Sequence, residues 1–327
     1  MTTDKKLKKT VPFLNKNRVK ETGANLVVSI FRYILLIAIS YIILYPLFAM
    51  VAYSLQSKTD VLDTSVTWIP KKATLETYSV AWQALEYPKS LLNTVLVGMV
   101  SAAMEIFSCA IAAYGFARFK FKGRGLLFGL VLFTAIVPVQ ILVIPLYLNY
   151  RLFDFGYVMD LLNLISGGTI PNSISLIDTP FTFWLPSIFG VGLRSGLFIF
   201  IYRQFFIGLP KELEEASWID GCNPLMTFFR VVIPSSGVVF LTVSIFAIIW
   251  HWNEYYQSVI YFTSDFPLAV TLSNIKDLAL NQMGYRDAFA APYVSAACLM
   301  FIAPVLIMYL FLQKKFIQSI DRVGIVG

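Results

Sequence analysis

Six continuous apolar stretches govern what this chain can fold into: 31–55, 93–117, 126–150, 184–206, 235–257 and 293–312. A spanning helix needs about 20 mostly apolar residues, because it rises ~1.5 Å per residue across ~30 Å of hydrocarbon. Lipid offers backbone groups no water to bond, so only helices or a closed barrel can cross it. Barrel strands are about half as long and alternate polar with apolar residues. These runs are unbroken, so the expected fold is an all-α, polytopic membrane protein with six transmembrane helices. Composition agrees, with 57% hydrophobic and 14% charged residues and a mean hydropathy of +0.70, well outside the balance of soluble domains.

Lysine and arginine predict the orientation. Residues 1–26 carry seven, the turn around FKFKGRG with Arg118 carries four, and Arg203, Lys211, Arg230, Lys314, Lys315 and Arg322 fall on the same side. The three opposite loops, 56–92, 151–183 and 258–292, share seven. Positive charge is retained in the cytoplasm, so both termini are expected there. The net charge of +7 is then a topology signal, and no nucleic-acid partner is expected. The expected organisation is a basic cytoplasmic segment 1–30, read as a solvated retention signal with contact to anionic membrane lipid as the alternative, a six-helix bundle 31–312, and a cytoplasmic tail 313–327. The first apolar run starts too far in, and is too long, for a cleaved signal peptide, so it is expected to remain as a helix.

Catalytic chemistry has little to stand on. Cys109, Cys222 and Cys298 are scattered and read as small packing residues. His251 is the sole histidine, which excludes a multi-histidine metal site, and local packing is expected of it. No GxxxxGK[ST] phosphate loop occurs in these residues, so this chain is not expected to hydrolyse nucleotide or to bind a cofactor itself. Pro46, Pro138, Pro145, Pro186 and Pro304 fall inside apolar runs. Each frees a carbonyl that needs another partner, as around a kinked pathway or in ordinary packing. The outer stretch LISGGTIPNSISLIDTPF reads as a surface loop.

The polar segment PKELEEASWIDGCNPLMTFFRVVIP, 210–234, interrupts the apolar pattern between the fourth and fifth runs. Pro210 with Glu212, Glu214 and Glu215 signals a helix start, and Gly221 a stop, predicting a short helix over 211–220. Asn223 and Pro224 restart a second helix, with Leu225, Phe228, Phe229 and Val232 on one face and Pro234 closing it. Two short helices bent at a glycine, with small Ala216 and Ser217 on the first, make a knob that another protein can approach closely.

The pattern E-A-S-x-x-D-G, nine residues, then V-x-I-P resembles the cytoplasmic loop of binding-protein-dependent ABC importer permeases. Within them it looks most like the maltose-type (MalG-like) carbohydrate permeases. Glu215, Ala216, Ser217, Asp220, Gly221, Val231, Ile233 and Pro234 carry the match. Ser217 stands where the family has alanine, and Val231 and Ile233 where it often has isoleucine and leucine. AAYGFARFKFKGR, VPVQILVIPLY, FFIGLPKELEEASWIDG, WNEYYQS and a tail ending VGIVG follow the family's order. The resemblance implies that 208–234 is a coupling loop docking on a cytoplasmic ATPase, with Glu215 orienting it and Gly221 permitting the bend. It also implies a second homologous permease, two copies of the ATPase using ATP and Mg, and an extracytoplasmic solute-binding protein delivering a sugar. The alternatives are a permease of the same kind for a polyol or phosphate ester, and an ion-coupled secondary transporter using Glu105 or Glu254.

Two charges fall inside apolar runs at matching depth: Glu105 ~18 Å and Arg194 ~15 Å from the outer ends of their helices. A lone charge at mid-bilayer costs roughly 2.5–3.5 kcal/mol or more, so a Glu105–Arg194 ion pair is the expectation. Trp252, Asn253, Glu254 and Tyr255 offer aromatic faces and polar groups suited to a sugar, at a depth where an interfacial aromatic belt is equally expected.

Overall fold

A computed structural model describes residues 16–66, 68–154, 156, 164–165, 173–283 and 290–324. Most of the expected outer loop around 164–172, and the ends of both expected terminal segments, lie outside the described residues. Among those described, the chain is helical throughout, with no strand and one isolated bridge between Phe153 and Ile174.

Helix α1 (Lys16–Ser54) is followed by the short α2 (Lys58–Leu62) and α3 (Glu76–Ala84), and then by α4 (Tyr87–Arg118), which contains a π turn at Val95–Met99. Next come α5 (Arg124–Ile136), α6 (Val139–Arg151), α7 (Phe181–Ile188) and α8 (Ser195–Gly208). The bent segment supplies α9 (Glu212–Ile219) and α10 (Pro224–Ser235). The chain continues as α11 (Gly237–Trp252), α12 (Tyr256–Tyr261), α13 (Leu268–Ser273), α14 (Ile275–Met283) and α15 (Ala290–Gly324).

Three of the six expected spans are continuous apolar helices, in α1, α4 and α15. The expected span 126–150 is a bent pair, α5 and α6 meeting at 101°, and the expected span 235–257 holds α11, which meets the preceding α10 at 84°. The first bend falls at Pro138, whose extended backbone starts α6 while its ring denies the helix a donor. The expected span 184–206 is broken, with α7 ending at Ile188 and α8 restarting at Ser195 after left-handed residues at Gly190 and Arg194.

The core sits where α4 meets α8. Ala102, Cys109, Ala110 and Ala113 on α4 are small enough to bring the helices close, and Phe198, Tyr202 and Phe206 of α8 fill the remaining space with Val243 and Ala247 of α11. Phe228 and Val232 of α10 join this cluster. By contrast, none of the most apolar stretch of α1 is buried within the chain. It presents Phe31, Ile37, Ile42 and Ile43 outward, the surface that lipid or another subunit would cover.

Candidate functional site

The bent segment folds as its local signals predict. Helix α9 ends at Ile219, and Gly221 takes the left-handed conformation with φ +83°. The amide of Gly221 donates to the carbonyl of Trp218 at 3.0 Å and that of Cys222 to Ser217 at 2.9 Å, a Schellman closure. A Cβ at Gly221 would touch nothing within 4 Å, so the backbone angle, not space, requires glycine. Asn223 then caps α10, its Oδ1 accepting from the Met226 amide at 2.8 Å, with Pro224 in the first turn.

The second helix departs from expectation. A π turn at Phe228–Val232 widens it, and Thr227, Phe228 and Val232 are buried while Leu225 and Phe229 face outward. The proposed single apolar face is therefore split, because the wider turn breaks the three-and-four spacing. Pro234 is exposed, and the helix ends one residue later, at the sharp turn into α11.

Three carboxylates start α9, and the fold treats them differently. Glu215, with Ala216 and Asp220, is exposed, whereas Glu214 and Ser217, one helical turn apart, are buried. Glu214 Oε1 lies 2.6 Å from Arg118 Nε, with both side chains over nine-tenths buried. Arg118 also donates from Nη2 to the Leu209 carbonyl at 2.9 Å, and Tyr114 reaches Glu214 at 3.5 Å. Ser217 donates to the Glu214 carbonyl and meets the Thr227 hydroxyl, each at 2.8 Å. The serine that departs from the usual alanine thus ties α9 to α10. Glu214 and Arg118 were missed from sequence. The i, i+3 pairing of Glu214 with small Ser217 was the available sign of a packed face.

Deeper in the bundle, Glu105 is fully buried and does not pair with Arg194. Its Oε2 lies 2.7 Å from His251 Nε2, and its Oε1 accepts from the Ser195 hydroxyl. Register explains the meeting. Glu105 lies 13 residues before the end of α4, Ser195 13 before the end of α8 and His251 14 beyond the start of α11, each ~20 Å along its helix. Arg194 is one residue from Ser195 but starts α8 in the left-handed conformation with φ +64°, which turns its side chain away. Its guanidinium sits 5.6 Å from the Trp250 ring centroid. The π turn of α4 packs on the same site: a Cβ on Gly98 would come within 3.2 Å of the His251 carbonyl.

His251, Ser195 and Arg194 line a cavity of about 350 Å³ between the α5–α6 bend and the α7–α8 break, with Thr134, Ser187 and Gln257 adding polar groups. The aromatic quartet divides. Trp252 is buried, its Nε1 donating to the Phe301 carbonyl at 3.2 Å, and serves packing. Asn253 and Tyr255 border a separate shallow cleft of about 270 Å³. Glu254 Oε1 accepts from the Gln257 amide at 2.8 Å.

Residues 89–322 match the family described as binding-protein-dependent transport system inner membrane component. Over 300 residues the chain is 28% identical to the probable ABC transporter permease protein YurM of Bacillus subtilis, covering 91% of this chain and 87% of that one. It is 26% identical to the sulfoquinovosyl glycerol transport system permease protein SmoH of Agrobacterium fabrum, with 87% and 89% covered. A solved structure of a bacterial ABC transporter involved in import of the acidic polysaccharide alginate superposes with a TM-score of 0.65 at 20% identity. That alignment spans 94% of this chain and all of the other.

Proposed function

The chain belongs to the family of binding-protein-dependent transport system inner membrane components, and from that premise we propose that it is the permease subunit of an ATP-driven sugar importer. It is a multi-pass component of the bacterial inner membrane. In this reading six segments cross the membrane, both termini face the cytoplasm, and α9 with α10 forms the coupling element between the fourth and fifth crossings. A cytoplasmic ATPase present in two copies supplies ATP and Mg chemistry, a second permease completes the path, and an external binding protein delivers the solute. Sugar or oligosaccharide is the solute class favoured by relatives such as the sulfoquinovosyl glycerol permease.

The observation that carries the reading is the two-sided character of α9. Its inner side is pinned to α4 by the buried Glu214–Arg118 pair. Its outer side leaves Glu215, Ala216, Trp218 and Ile219 uncovered. A motor protein gripping the outer side would move α4 through a charge-assisted contact that is short and water-excluded. Displacement of α4 would reach Glu105 ~20 Å away and, through His251, shift α11 against the 350 Å³ cavity. The cavity is the proposed solute compartment of this subunit, and the separate cleft bordered by Asn253 and Tyr255 is a second place for solute contact. ATP can drive the change only because the closed ATPase pair favours one bundle arrangement over the other; equal preference would shift nothing.

The test is uptake into vesicles holding the reconstituted transporter, with ATP and without an ion gradient. Glu215→Lys and Gly221→Pro should each abolish uptake while the protein remains inserted. Full uptake in both variants overturns the coupling assignment, and uptake that needs an ion gradient overturns the ATP-driven reading. Thermal shift of the partner binding protein across a sugar panel identifies the solute.

A further inference from the structure

A second cavity, of about 430 Å³, lies beside the coupling element and serves no step described above. Its walls come from the end of α4, the start of α5, the last turns of α8 and the first turns of α9. Arg118, Lys120, Arg124, Arg203 and Lys211 face it, against Glu214 and Glu215. Glu214 is taken by Arg118, and no ion pair among the described residues uses Lys120, Arg124, Arg203 or Lys211. Four cations therefore share one compartment with a single uncommitted carboxylate. Such crowding favours an anion.

Two of the cations are held in place without a ligand. Arg203 lies 4.0 Å from the Phe128 ring centroid and donates from Nε to the Phe116 carbonyl at 3.4 Å. Arg124 Nη1 donates to the Phe119 carbonyl at 3.2 Å. Guanidinium forks held this way match two oxygens of a phosphate. The position of the cavity selects the kind of phosphate. It opens where the apolar stretches of α4 and α5 give way to the basic turn, and Phe119, Ile207 and Trp218 on its border are each about half exposed. A charged pocket with an apolar border at the end of membrane helices suits an amphiphile.

We propose that this cavity binds the headgroup phosphate of an anionic phospholipid, with Arg124 and Arg203 on the phosphate oxygens and the acyl chains against Phe119 and Ile207. The proposal rests on the reading that the turn after Arg118 lies at the cytoplasmic membrane surface. Because Glu215 and Trp218 of α9 form one wall, a bound headgroup would hold the coupling element against α4 and α8.

The experiment takes the full transporter, with its second permease and ATPase, from nanodiscs of equal phosphatidylglycerol and phosphatidylcholine into native mass spectrometry. The wild type should retain phosphatidylglycerol in preference by roughly tenfold or more, since each nearby cation contributes about fivefold. The variant Arg124→Gln with Arg203→Gln should bring the preference to within about twofold. A second variant, Lys120→Gln with Lys211→Gln at exposed positions, should lower it by a smaller factor and does not depend on core folding. Equal retention of the two lipids by the wild type, or an unchanged preference in both variants, overturns the proposal. So does displacement by millimolar inorganic phosphate, which would mark a free-anion site, or cross-linking of Arg124 to an acidic ATPase segment. Equal retention of the two lipids by a wild type whose ATP-driven uptake is intact sinks the lipid site alone. Labelling of Lys122→Cys from the outside only would instead sink the membrane orientation.

Discussion

Two buried carboxylates touch α4, and the fold satisfies them in different ways. Glu214, near one end of the bundle, meets Arg118, a cation that cannot be deprotonated. Glu105, ~20 Å deeper, meets His251 and the Ser195 hydroxyl. The first arrangement is a fixed strut between a surface helix and a spanning helix. The second uses partners that can satisfy the carboxyl with or without a full opposite charge, where a permanent ion pair carries the heavier desolvation cost. These two carboxylates thus differ in their partners: a permanent cation for Glu214, hydrogen-bonding neighbours for Glu105.

The strut is the place to break this contrast with the largest effect. Glu214→Ala should cost about 3–5 kcal/mol, because it leaves the Arg118 guanidinium buried without a counter-charge. Arg118→Met combined with Glu214→Leu should recover most of that loss, as read by thermal unfolding of the purified transporter. If the single variant loses under about 1 kcal/mol, Glu214 is no strut.

The deep site should respond less. Glu105→Gln keeps one hydrogen bond of the pair and should cost about 1–3 kcal/mol in the same measurement. Arg194→Gln should cost no more than about 1 kcal/mol, the worth of its exposed contact with Trp250, and should add no more than that to the loss in His251→Phe, which separates His251 from Arg194 as the partner of Glu105. Two glycines sharpen the same contrast. A Cβ at Gly192 would stand 3.0 Å from Ser187 Oγ and 3.1 Å from Glu105 Oε1, so Gly192→Ala should cost about 1–3 kcal/mol by crowding. Gly221→Ala crowds nothing and should cost about 1–2 kcal/mol through its left-handed backbone alone.

An exposed carboxylate gives the lower limit. Partial burial pushes the Asp178 pKa upward, but hydrogen bonds from the side chains and amides of Thr263 and Ser264 outweigh it, and the net shift is downward. A carboxylate lowered in the folded state contributes stability above its unfolded pKa and loses it as pH falls through the folded one. Hydrogen-exchange protection at 263–264, taken relative to the intrinsic rate at each pH, should therefore fall only below about pH 4, and Asp178→Asn should show that lower protection already at neutral pH.

The elbow of α9 and α10 was legible because its signals are local. Gly221 needs a positive φ, Asn223 caps the next helix and Pro224 fits its first turn, whatever surrounds them. That Glu105 needs a partner was legible too, since it falls inside an apolar run. Its partner was not. That pairing depends on how α11 lies against α4 and α8, which no single run contains. Nor was it legible that Glu214, rather than Glu215, is the buried acid of α9. Three acids in one turn share the same helix-start signal, and only the packing of α9 on α4 decides which is buried.

Amino-acid order alone determined that this chain is apolar enough to enter lipid and where the elbow between α9 and α10 starts, turns and restarts. Those outcomes follow from apolar run length, proline and glycine backbone limits and capping chemistry, all decided within a few residues. Tertiary structure alone decided that Glu214 meets Arg118, that Glu105 meets His251 and that four cations enclose one cavity. Each of those depends on the rotation and crossing of separate helices, which close packing of bulky against small side chains sets and no single segment contains.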